Sequence, residues 1–359
     1  MNILITGNMG YVGPVVTAHL RNVFPDARLI GVDSGWFAHC LTTGHRLPEV
    51  SLDEQWFKDV RDLTLGDLEG IDGIVHLAAV SNDPMGNRFE RITEAINFRA
   101  SVRLAELAAG AGVKRFVYAS SCSVYGVDDD PRPRCERDPI NPLTAYARSK
   151  IATEEALAQM TDSRLVVTNL RFATACGWSD RLRLDLVLND FVASALTTGG
   201  IAVLSAGTPW RPLIHVKDMA RAIEWALVRD ADENGEVLTI NAGSDDWNFQ
   251  MAELAHAVAK SLGGINVSIN RDAQPDRRSY RVDFSMFKRL APQHAPRETL
   301  DRSIQGLISG LNAMGFNDPD FRNSHFIRLK TLMQNLSSQA LTEDLRWRSR
   351  TEQPNERVA

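Results

Sequence analysis

The sequence lacks several features that define whole classes of protein. No stretch approaches the roughly 18 uninterrupted apolar residues of a membrane-spanning helix, so we expect no association with a membrane. Basic charge is not in excess, since the net charge is -5 and the isoelectric point about 5.9, which disfavours nucleic acid as a partner. The cysteines include no C-x-x-C pair, which argues against a zinc site or a disulfide framework and predicts reduced thiols. They are Cys40, Cys122, Cys135 and Cys176.

We do not expect the first residues to form a secretory leader. Residues 1–7 lead directly into an apolar run without a basic region or a cleavage site, so we interpret them as a first strand and expect the protein in the cytoplasm. Apolar residues make up 44% and charged residues 24% of the 359 residues, which is typical of a folded protein. This length exceeds what one hydrophobic core usually supports, so we expect two lobes with a ligand cleft between them.

Short apolar runs alternate with amphipathic stretches in the first half of the chain. Helices are predicted over residues 91–109, with apolar residues at helical spacing, and over 145–160, which are rich in strong helix formers. The short uniform runs are typical of strands in a parallel sheet that is covered on both faces. The predicted strands are residues 3–6, 29–32, 73–77, 115–119 and 164–170. The fold class is therefore α/β, with a Rossmann-type doubly wound parallel sheet.

From about residue 172 the pattern becomes less regular and is interrupted by glycine and proline. We predict that residues 1–171 form a dinucleotide-binding domain and that residues 172–350 form a smaller, mixed α/β substrate-binding lobe whose chain crosses back to the sheet. Residues 351–359 have the composition of a disordered tail.

Three glycines follow the first predicted strand with the spacing G-x-x-G-x-x-G. Gly7, Gly10 and Gly13 open a predicted helix, an arrangement that allows a tight turn, close approach of the backbone to a pyrophosphate, and close helix packing. The pattern also occurs as a plain strand-to-helix turn. Asp33 ends the second strand, where a carboxylate accepts hydrogen bonds from the adenosine ribose and repels a 2′-phosphate, which favours NAD over NADP. Its alternative interpretation is a turn residue in Asp-Ser-Gly.

Tyr146 and Lys150 stand four residues apart on the second predicted helix, so their side chains project from the same face. A lysine cation about 4 Å away stabilises a phenolate by about 4 kcal/mol at an effective dielectric of about 20, although desolvation opposes this. Alone, Y-x-x-x-K is equally typical of an exposed helix face. Residues 117–126, however, place several hydroxyl groups just past a strand end, where α/β sheets bind ligands.

With these motifs in this order, residues 1 to about 290 resemble the extended short-chain dehydrogenase/reductase family, which includes nucleotide-sugar epimerases, 4,6-dehydratases and decarboxylases. The motifs that carry the resemblance are G-x-x-G-x-x-G, Asp33, Asp59-Val60-Arg61-Asp62, His76-Leu77-Ala78-Ala79, Asn97, Ser120-Ser121-x-x-Val124-Tyr125-Gly126, Tyr146-x-x-x-Lys150, Arg211-Pro-Leu-Ile-His215-Val-x-Asp218 and Asp276-x-Arg278.

The resemblance implies roles for individual residues. Tyr146 is expected to be the base, Lys150 its electrostatic partner, and Ser121 the hydroxyl that orients the sugar oxygen. The expected NAD-binding residues are Gly7, Gly10, Tyr11, Val12, Gly13, Asp33, Asp59, Val60, Leu77, Ala78, Ala79, Asn97, Tyr146 and Lys150. The expected substrate-binding residues are Ser81, Ser121, Cys122, Ser123, Thr174, Arg183, Asn189, Arg211 and Arg278, of which Arg211 and Arg278 would hold the substrate diphosphate through their fixed forks. We expect no metal. We expect the protein to form a homodimer.

Three positions depart from the family pattern and narrow the chemistry. The 4,6-dehydratases carry Asp-Glu after the catalytic hydroxyl, and the decarboxylases carry Glu at the second of these positions, whereas this sequence has Cys122 and Ser123. Thr174 replaces an asparagine after the sixth strand, which weakens the transfer of a phosphate contact to this position. A free thiol such as that of Cys122 can donate a proton but is more often a packing residue.

The pattern therefore favours an epimerase that oxidises a nucleotide-diphosphate sugar transiently, with Tyr146 removing a hydroxyl proton, hydride passing to NAD, and the ketone being reduced from its other face. A 4,6-dehydratase or a ketoreductase would use the same hydride machinery. A non-catalytic NAD-binding regulatory protein is the alternative from another class, although it would need no base.

Overall fold

The computed structural model describes the chain in five stretches, which are residues 1–126, 132–160, 164–231, 235–273 and 279–348. Residues 351–359, predicted as a disordered tail, lie outside these described residues.

The strands and helices of the described residues are numbered here in chain order. The strands are β1 (Asn2–Thr6), β2 (Arg28–Asp33), β3 (Glu54–Phe57), β4 (Gly73–His76), β5 (Arg115–Ser121), β6 (Val166–Phe172), β7 (Thr174–Cys176), β8 (Gly200–Val203), β9 (Trp210–His215), β10 (Val237–Ala242), β11 (Asn248–Gln250) and β12 (Asn266–Ile269). The helices are α1 (Gly13–Val23), α2 (Asp83–Arg88), α3 (Glu90–Thr93), α4 (Ser101–Gly110), α5 (Ala145–Ala158), α6 (Val187–Thr198), α7 (Val216–Val228), α8 (Met251–Ser261), α9 (Ser285–Leu290), α10 (Leu300–Ala313) and α11 (Arg328–Ser337).

Seven strands form one sheet in the order β10-β6-β5-β4-β1-β2-β3, and every neighbouring pair is parallel. Every residue of β4 and β6 is buried, because apolar side chains pack against helices on both faces of the sheet. The predicted Rossmann-type fold is confirmed.

The later part of the chain builds smaller sheets beside this one. Strands β7, β9 and β11 form a three-stranded sheet, and β8 pairs with β12. Between them the chain returns to the main sheet, where β10 pairs along its whole length with β6. None of the described helices is long and apolar enough to cross a membrane.

The five predicted strands are present, with bounds within two residues of those predicted at almost every end. The predicted helix at 91–109 contains a π-helical segment, Glu94–Ala100, between α3 and α4. Two strands of the main sheet, β3 and β10, were not predicted. β3 is a four-residue edge strand with a charged first residue, and β10 is separated from its partner β6 by more than sixty residues of chain.

Candidate active site

A cleft of about 770 Å³ lies at the carboxyl ends of the parallel strands. Residues that follow β1, β2, β4, β5 and β6 line it, and so do Leu204, Arg211 and Met251 from the later part of the chain. Ligands of open parallel sheets bind at this edge. The cleft is therefore the place to test each predicted site residue.

The loop between β1 and α1 approaches the neighbouring backbone closely. Gly7 has a φ of 75°, and a Cβ added there would lie 2.6 Å from the backbone nitrogen of Ala78. A Cβ on Gly13, the first residue of α1, would lie 2.1 Å from the carbonyl oxygen of Asn8. Only glycine fits at these two positions, as a dinucleotide-binding loop requires. Four loop residues line the cleft: Gly7, Gly10, Tyr11 and Val12.

Asp33 lies in the cleft with its carboxylate oriented by the backbone. One carboxylate oxygen accepts the N–H of Met9 at 3.0 Å and the other accepts that of Gly35 at 2.7 Å. Burial raises the pKa of this carboxyl above its ordinary value. Lys58 also lines the cleft, but it is ion-paired with Asp67 at 2.6 Å. This end of the cleft fits a ribose with free hydroxyls better than a 2′-phosphate, and so it fits NAD.

The remaining predicted cofactor residues divide into two groups. Asp59, Val60, Leu77, Ala78 and Ala79 line the cleft. Asn97 does not, because its amide oxygen accepts the N–H of Val80 at 2.8 Å and its amide nitrogen donates to the carbonyl of Val80 at 3.0 Å and to Ser149 at 3.2 Å. Asn97 thus holds the chain that follows β4, and its direct contact with the cofactor stays a prediction.

The helix α5 presents Tyr146 and Lys150 to the end of β5. Thr144 caps its first turn by accepting the N–H of Ala147 at 3.1 Å. Tyr146, Lys150 and Ser121 all line the cleft. The Lys150 ammonium lies 5.5 Å from the centre of the Tyr146 ring and donates to the carbonyl oxygen of Ala119 at 2.6 Å. The structure thus brings the three predicted catalytic residues together.

Burial dominates the electrostatics of these groups. The pKa of Tyr146 is raised to about 12: burial is the largest cause, the nearby carboxylate of Asp83 acts in the same direction, and a hydrogen bond with Ser121 and the charge of Arg183 oppose them. Burial lowers the pKa of Lys150 to about 7, and Glu154 opposes this effect. In this state the tyrosine is protonated at neutral pH, so an additional positive charge is needed to make it a base.

The turn after β5 exposes alternate residues to the cleft. Ser121 and Ser123 line it, with the Ser121 hydroxyl accepting the N–H of Ser123 at 3.2 Å. The Ser123 hydroxyl is buried and has no hydrogen-bond partner within the structure. Cys122 points into the core, where its thiol donates to the carbonyl oxygen of Arg171 at 3.0 Å, and burial raises its pKa well above the ordinary value. These contacts are those of a packing residue, and a contact of Cys122 with substrate stays a prediction.

Arg183 and Ser81 contact each other at the cleft. The Arg183 guanidinium holds Asp185 through two contacts of 2.9 Å and donates to the Ser81 hydroxyl at 3.2 Å. Asn189 is fully buried behind them and does not line the cleft. Its side chain accepts the N–H of Gly177 and donates to the Arg183 carbonyl, and a substrate contact at Asn189 stays a prediction.

The predicted diphosphate-binding side of the cleft is only partly described. Arg211 lines the cleft from β9, with its guanidinium 5.9 Å from the ring of Tyr280, and Thr174 lines it from β7. Arg278 lies outside the described residues.

Several cleft residues were missed by the sequence patterns. Asp83 follows Ser81 closely but belongs to no motif, and Arg322 and Arg328 come from beyond the region of resemblance, so the sequence carried no signal for them. The missed charged and aromatic residues are Trp36, Phe37, Lys58, Asp83, Phe172, Asp185, Asp190, Phe191, Tyr280, Arg322 and Arg328.

The chain is similar to nucleotide-sugar enzymes. A sequence model of the NAD dependent epimerase/dehydratase family matches residues 3–243. A UDP-glucose 4-epimerase of Corynebacterium glutamicum is 27% identical over 261 residues, which cover 68% of this chain and 76% of that protein. An uncharacterized UDP-glucose epimerase of Bacillus subtilis, YtcB, is 28% identical over 327 residues, or 88% and 99% of the two chains.

Solved structures have the same fold. The structure of MoeE5 in complex with UDP-glucuronic acid and NAD is 26% identical, with a TM-score of 0.73, and the match covers 87% of this chain and 99% of that one. The NDP-hexosamine 5,6-dehydratase TunA gives a TM-score of 0.74 at 21% identity over 89% and 99% of the chains.

Proposed function

This chain belongs to the NAD dependent epimerase/dehydratase family, and from that premise we propose that it is an epimerase of a nucleotide-diphosphate sugar, acting through a transient keto-sugar. The observation that carries the proposal is the meeting of Ser121, Tyr146 and Lys150 at the end of the cleft. Both UDP-glucose epimerases that it resembles, and MoeE5 with its bound nucleotide sugar, support this choice.

Different residues of the chain have different roles in the oxidation of the sugar. NAD, the cofactor of the family, would be held by the loop of Gly7 and Gly10 and by Asp33, and would supply the acceptor and donor of the sugar's hydride. Tyr146 takes the proton of the sugar hydroxyl, and Ser121, which hydrogen-bonds with Tyr146, orients that hydroxyl. Protonated Lys150 stabilises the phenolate by about 3 kcal/mol at a separation of about 5 to 6 Å and an effective dielectric of about 20. This corresponds to about two pKa units, so a tyrosine raised to about 12 also needs the positive nicotinamide ring nearby.

The substrate occupies the part of the cleft formed by the later half of the chain. In this proposal residues 1–171 bind NAD and residues 172–350 bind most of the sugar nucleotide, while Ser81 and Ser123 of the first part and Thr174 and Arg183 of the second surround the sugar. Arg211, beside the aromatic ring of Tyr280, is placed to contact the diphosphate. Arg278 keeps the same proposed role.

A dehydratase is the second candidate, and one observation favours it. The carboxylate of Asp83 lines the cleft close enough to Tyr146 to raise its pKa, and elimination of water needs such a group. The turn after β5 offers no carboxylate, because Ser123 faces the cleft and Cys122 faces the core. The epimerase is therefore preferred.

Product mass separates these activities. We would incubate the protein and NAD with UDP-, GDP-, CDP- and dTDP-sugars and analyse the products by NMR and mass spectrometry. An epimer with the mass of its substrate is expected, with no net consumption of NAD. Loss of one water from the mass of the substrate would identify a dehydratase. Stoichiometric use of reduced cofactor would identify a reductase, and binding without turnover would identify a regulatory protein.

The cellular setting is also part of the proposal. Four free cysteines, none in a disulfide, support a reducing compartment such as the cytoplasm. The net charge of -5 argues against nucleic acid as a partner.

We expect a homodimer from the family resemblance. Sedimentation velocity of the purified chain tests this expectation.

A further inference from the structure

The C-terminal part of the described chain contributes to the cleft although it lies beyond the matched residues 3–243. Arg322, Ile327, Arg328 and Leu329 all line the cleft. Arg322 is held by two contacts with Asp190, at 2.9 and 2.7 Å. Arg328 has no such partner and is the residue to explain.

Arg328 begins α11 and is 1% exposed. One terminal nitrogen of its guanidinium donates to the carbonyl oxygen of Arg181 at 2.8 Å, and the group lies 4.8 Å from the centre of the Phe37 ring. The other terminal nitrogen, Nη1, is buried and has no hydrogen-bond partner within the structure. A buried donor in this state is costly unless a ligand satisfies it.

The charge around Arg328 is also unbalanced. Its two nearest arginines are neutralised, Arg181 by Glu49 and Arg183 by Asp185. Arg328 itself forms no salt bridge with any residue that the structure describes. Burial lowers the pKa of Arg328 to about 10, so the side chain is still charged at neutral pH. A buried cation without a counterion favours an anion in the adjoining cleft.

A short series of contacts connects Arg328 to the glycine loop. Arg328 holds the carbonyl of Arg181, the N–H of Arg181 donates to the Ser179 hydroxyl at 3.3 Å, and this hydroxyl donates to the carbonyl of Tyr11 at 2.6 Å. Tyr11 lies in the loop just before α1, whose N-terminus is where this fold binds the cofactor diphosphate. The guanidinium with its unsatisfied Nη1 is thus connected to the loop at which this fold binds the cofactor diphosphate, and Tyr11 and Arg328 line the same cleft.

We propose that Arg328 binds the diphosphate of NAD, so that the C-terminal helix α11 completes the cofactor site. The proposal rests on the assignment of this cleft to NAD. A diphosphate supplies acceptor oxygens for Nη1 and negative charge in addition to that of nearby Asp185, which is already paired with Arg183, and the planar guanidinium suits phosphate oxygens. The diphosphate of the sugar nucleotide has the same chemistry, so the test must separate the two.

Calorimetric titration of the full chain with NAD, ADP-ribose, adenosine and UDP provides this test. Arg328→Met is expected to weaken NAD and ADP-ribose about tenfold to hundredfold, as expected for loss of a charged hydrogen bond, and to leave adenosine and UDP unchanged. Arg328→Lys, which keeps the charge without the fork, should lie between. Arg302→Met, a change of an exposed arginine on α10, is the matched control and should bind like the wild type.

Each other outcome has a definite meaning. Unchanged NAD affinity in Arg328→Met overturns the proposal, and a selective loss of UDP affinity assigns the arginine to the substrate instead. Equal losses for adenosine and NAD show a purely structural role and also overturn it. If Arg328→Met does not fold, Arg328→Gln takes its place in the same comparison. Failure of the wild type to bind NAD would refute the cofactor assignment itself, which is a different result.

Discussion

At the scale of single residues, Tyr146 lies between opposing charges. Asp83 raises its pKa, while Arg183 and the hydrogen bond with Ser121 lower it, and burial outweighs them all. The side chain is therefore a weak acid until a ligand changes its surroundings. This arrangement restricts proton transfer to the loaded site.

Replacing Tyr146 by phenylalanine should abolish turnover and leave NAD affinity unchanged, because the change removes the proton acceptor and keeps the ring. General-base catalysis contributes at least about a hundredfold, so turnover should fall by this factor or more. Tyr118→Phe is the matched control, since this tyrosine also lies near Lys150, 4.6 Å from its ammonium, but does not line the cleft. A fall of less than about tenfold would contradict the assignment.

Removing the charge of Asp83 should shift the pH dependence of activity. Asp83 raises the pKa of Tyr146, so Asp83→Asn lowers this pKa, and the rising limb of kcat/KM moves to lower pH. The exposed Asp246→Asn serves as control. A limb that stays in place, or moves to higher pH, would show that Asp83 does not act on the base.

Asp33 should determine the choice between NAD and NADP. The wild type is expected to bind NAD far more tightly. Asp33→Ala should weaken NAD about tenfold, through loss of charged hydrogen bonds to the ribose, and reduce the preference. Binding titrations with both dinucleotides check this, with the exposed Asp26→Ala as control. Equal affinity of the wild type for both would refute the role of Asp33.

The sequence predicted which motif residues reach the cleft, but not which way their neighbours face. Cys122 was assigned to the site by position, yet the turn after β5 directs its thiol to the Arg171 carbonyl. The side-chain amides of Asn97 and Asn189 could hydrogen-bond with a ligand, but in the structure they hydrogen-bond with buried backbone groups instead. Such competition depends on tertiary contacts that a motif does not encode.

At the scale of secondary-structure elements, the π-helical segment Glu94–Ala100 positions Asn97 against the chain after β4. π-Helical turns occur often at functional sites. Here the segment fixes Val80, and Ser81 beside it contacts Arg183 at the cleft. One irregular turn outside the cleft thus orients a residue within it.

Asn97→Ala should therefore destabilise the protein and disturb the site. It leaves the N–H and C=O of Val80 without partners, at a cost of about 1–3 kcal/mol for each buried group. Urea unfolding should show this loss, and KM for the sugar nucleotide should rise. The exposed Asn312→Ala on α10 is the control. Unchanged stability would mean that the loop finds other partners.

Most of the main sheet could be predicted because its buried strands are short and uniformly apolar. β3 was not predicted because an exposed edge strand does not need a uniformly apolar sequence. Its Phe57 is 72% exposed. β10 has a suitable sequence, but pairing with the distant β6 follows from tertiary structure alone. For the same reason the cleft residues of α11 could not be predicted.

At the scale of the whole molecule, buried histidines make stability depend on pH. His76 hydrogen-bonds with Thr6 on β1 at 2.6 Å and with Ser101 on α4 at 2.7 Å, and thereby links the sheet to a covering helix. Burial and the charge of Lys150 lower its pKa to about 3. The folded protein therefore keeps this ring neutral where the unfolded chain protonates it.

This difference predicts a loss of stability in acid. The folded pKa lies below the unfolded value near 6.5, so the unfolded chain binds more protons between about pH 6.5 and 3. The free energy of unfolding should fall by about 1 kcal/mol per pH unit over this range from His76 alone. Denaturant unfolding at pH 7, 6 and 5 checks the slope, which should be smaller in His76→Gln. An identical slope in the variant would contradict the prediction.

The last described residues of the chain form hydrogen bonds and an ion pair with residues near its beginning. The Trp36 indole donates to the carbonyl of Leu345 at 3.1 Å, and Arg346 pairs with Asp62 at 2.5 Å, beside the Asp33 end of the cleft. These partners are separated by 309 and 284 residues. During synthesis, the ribosome completes the early strands long before residue 345 emerges. A nascent chain therefore cannot close this rim before residues 345 and 346 have emerged, so the early strands lack these partners until then.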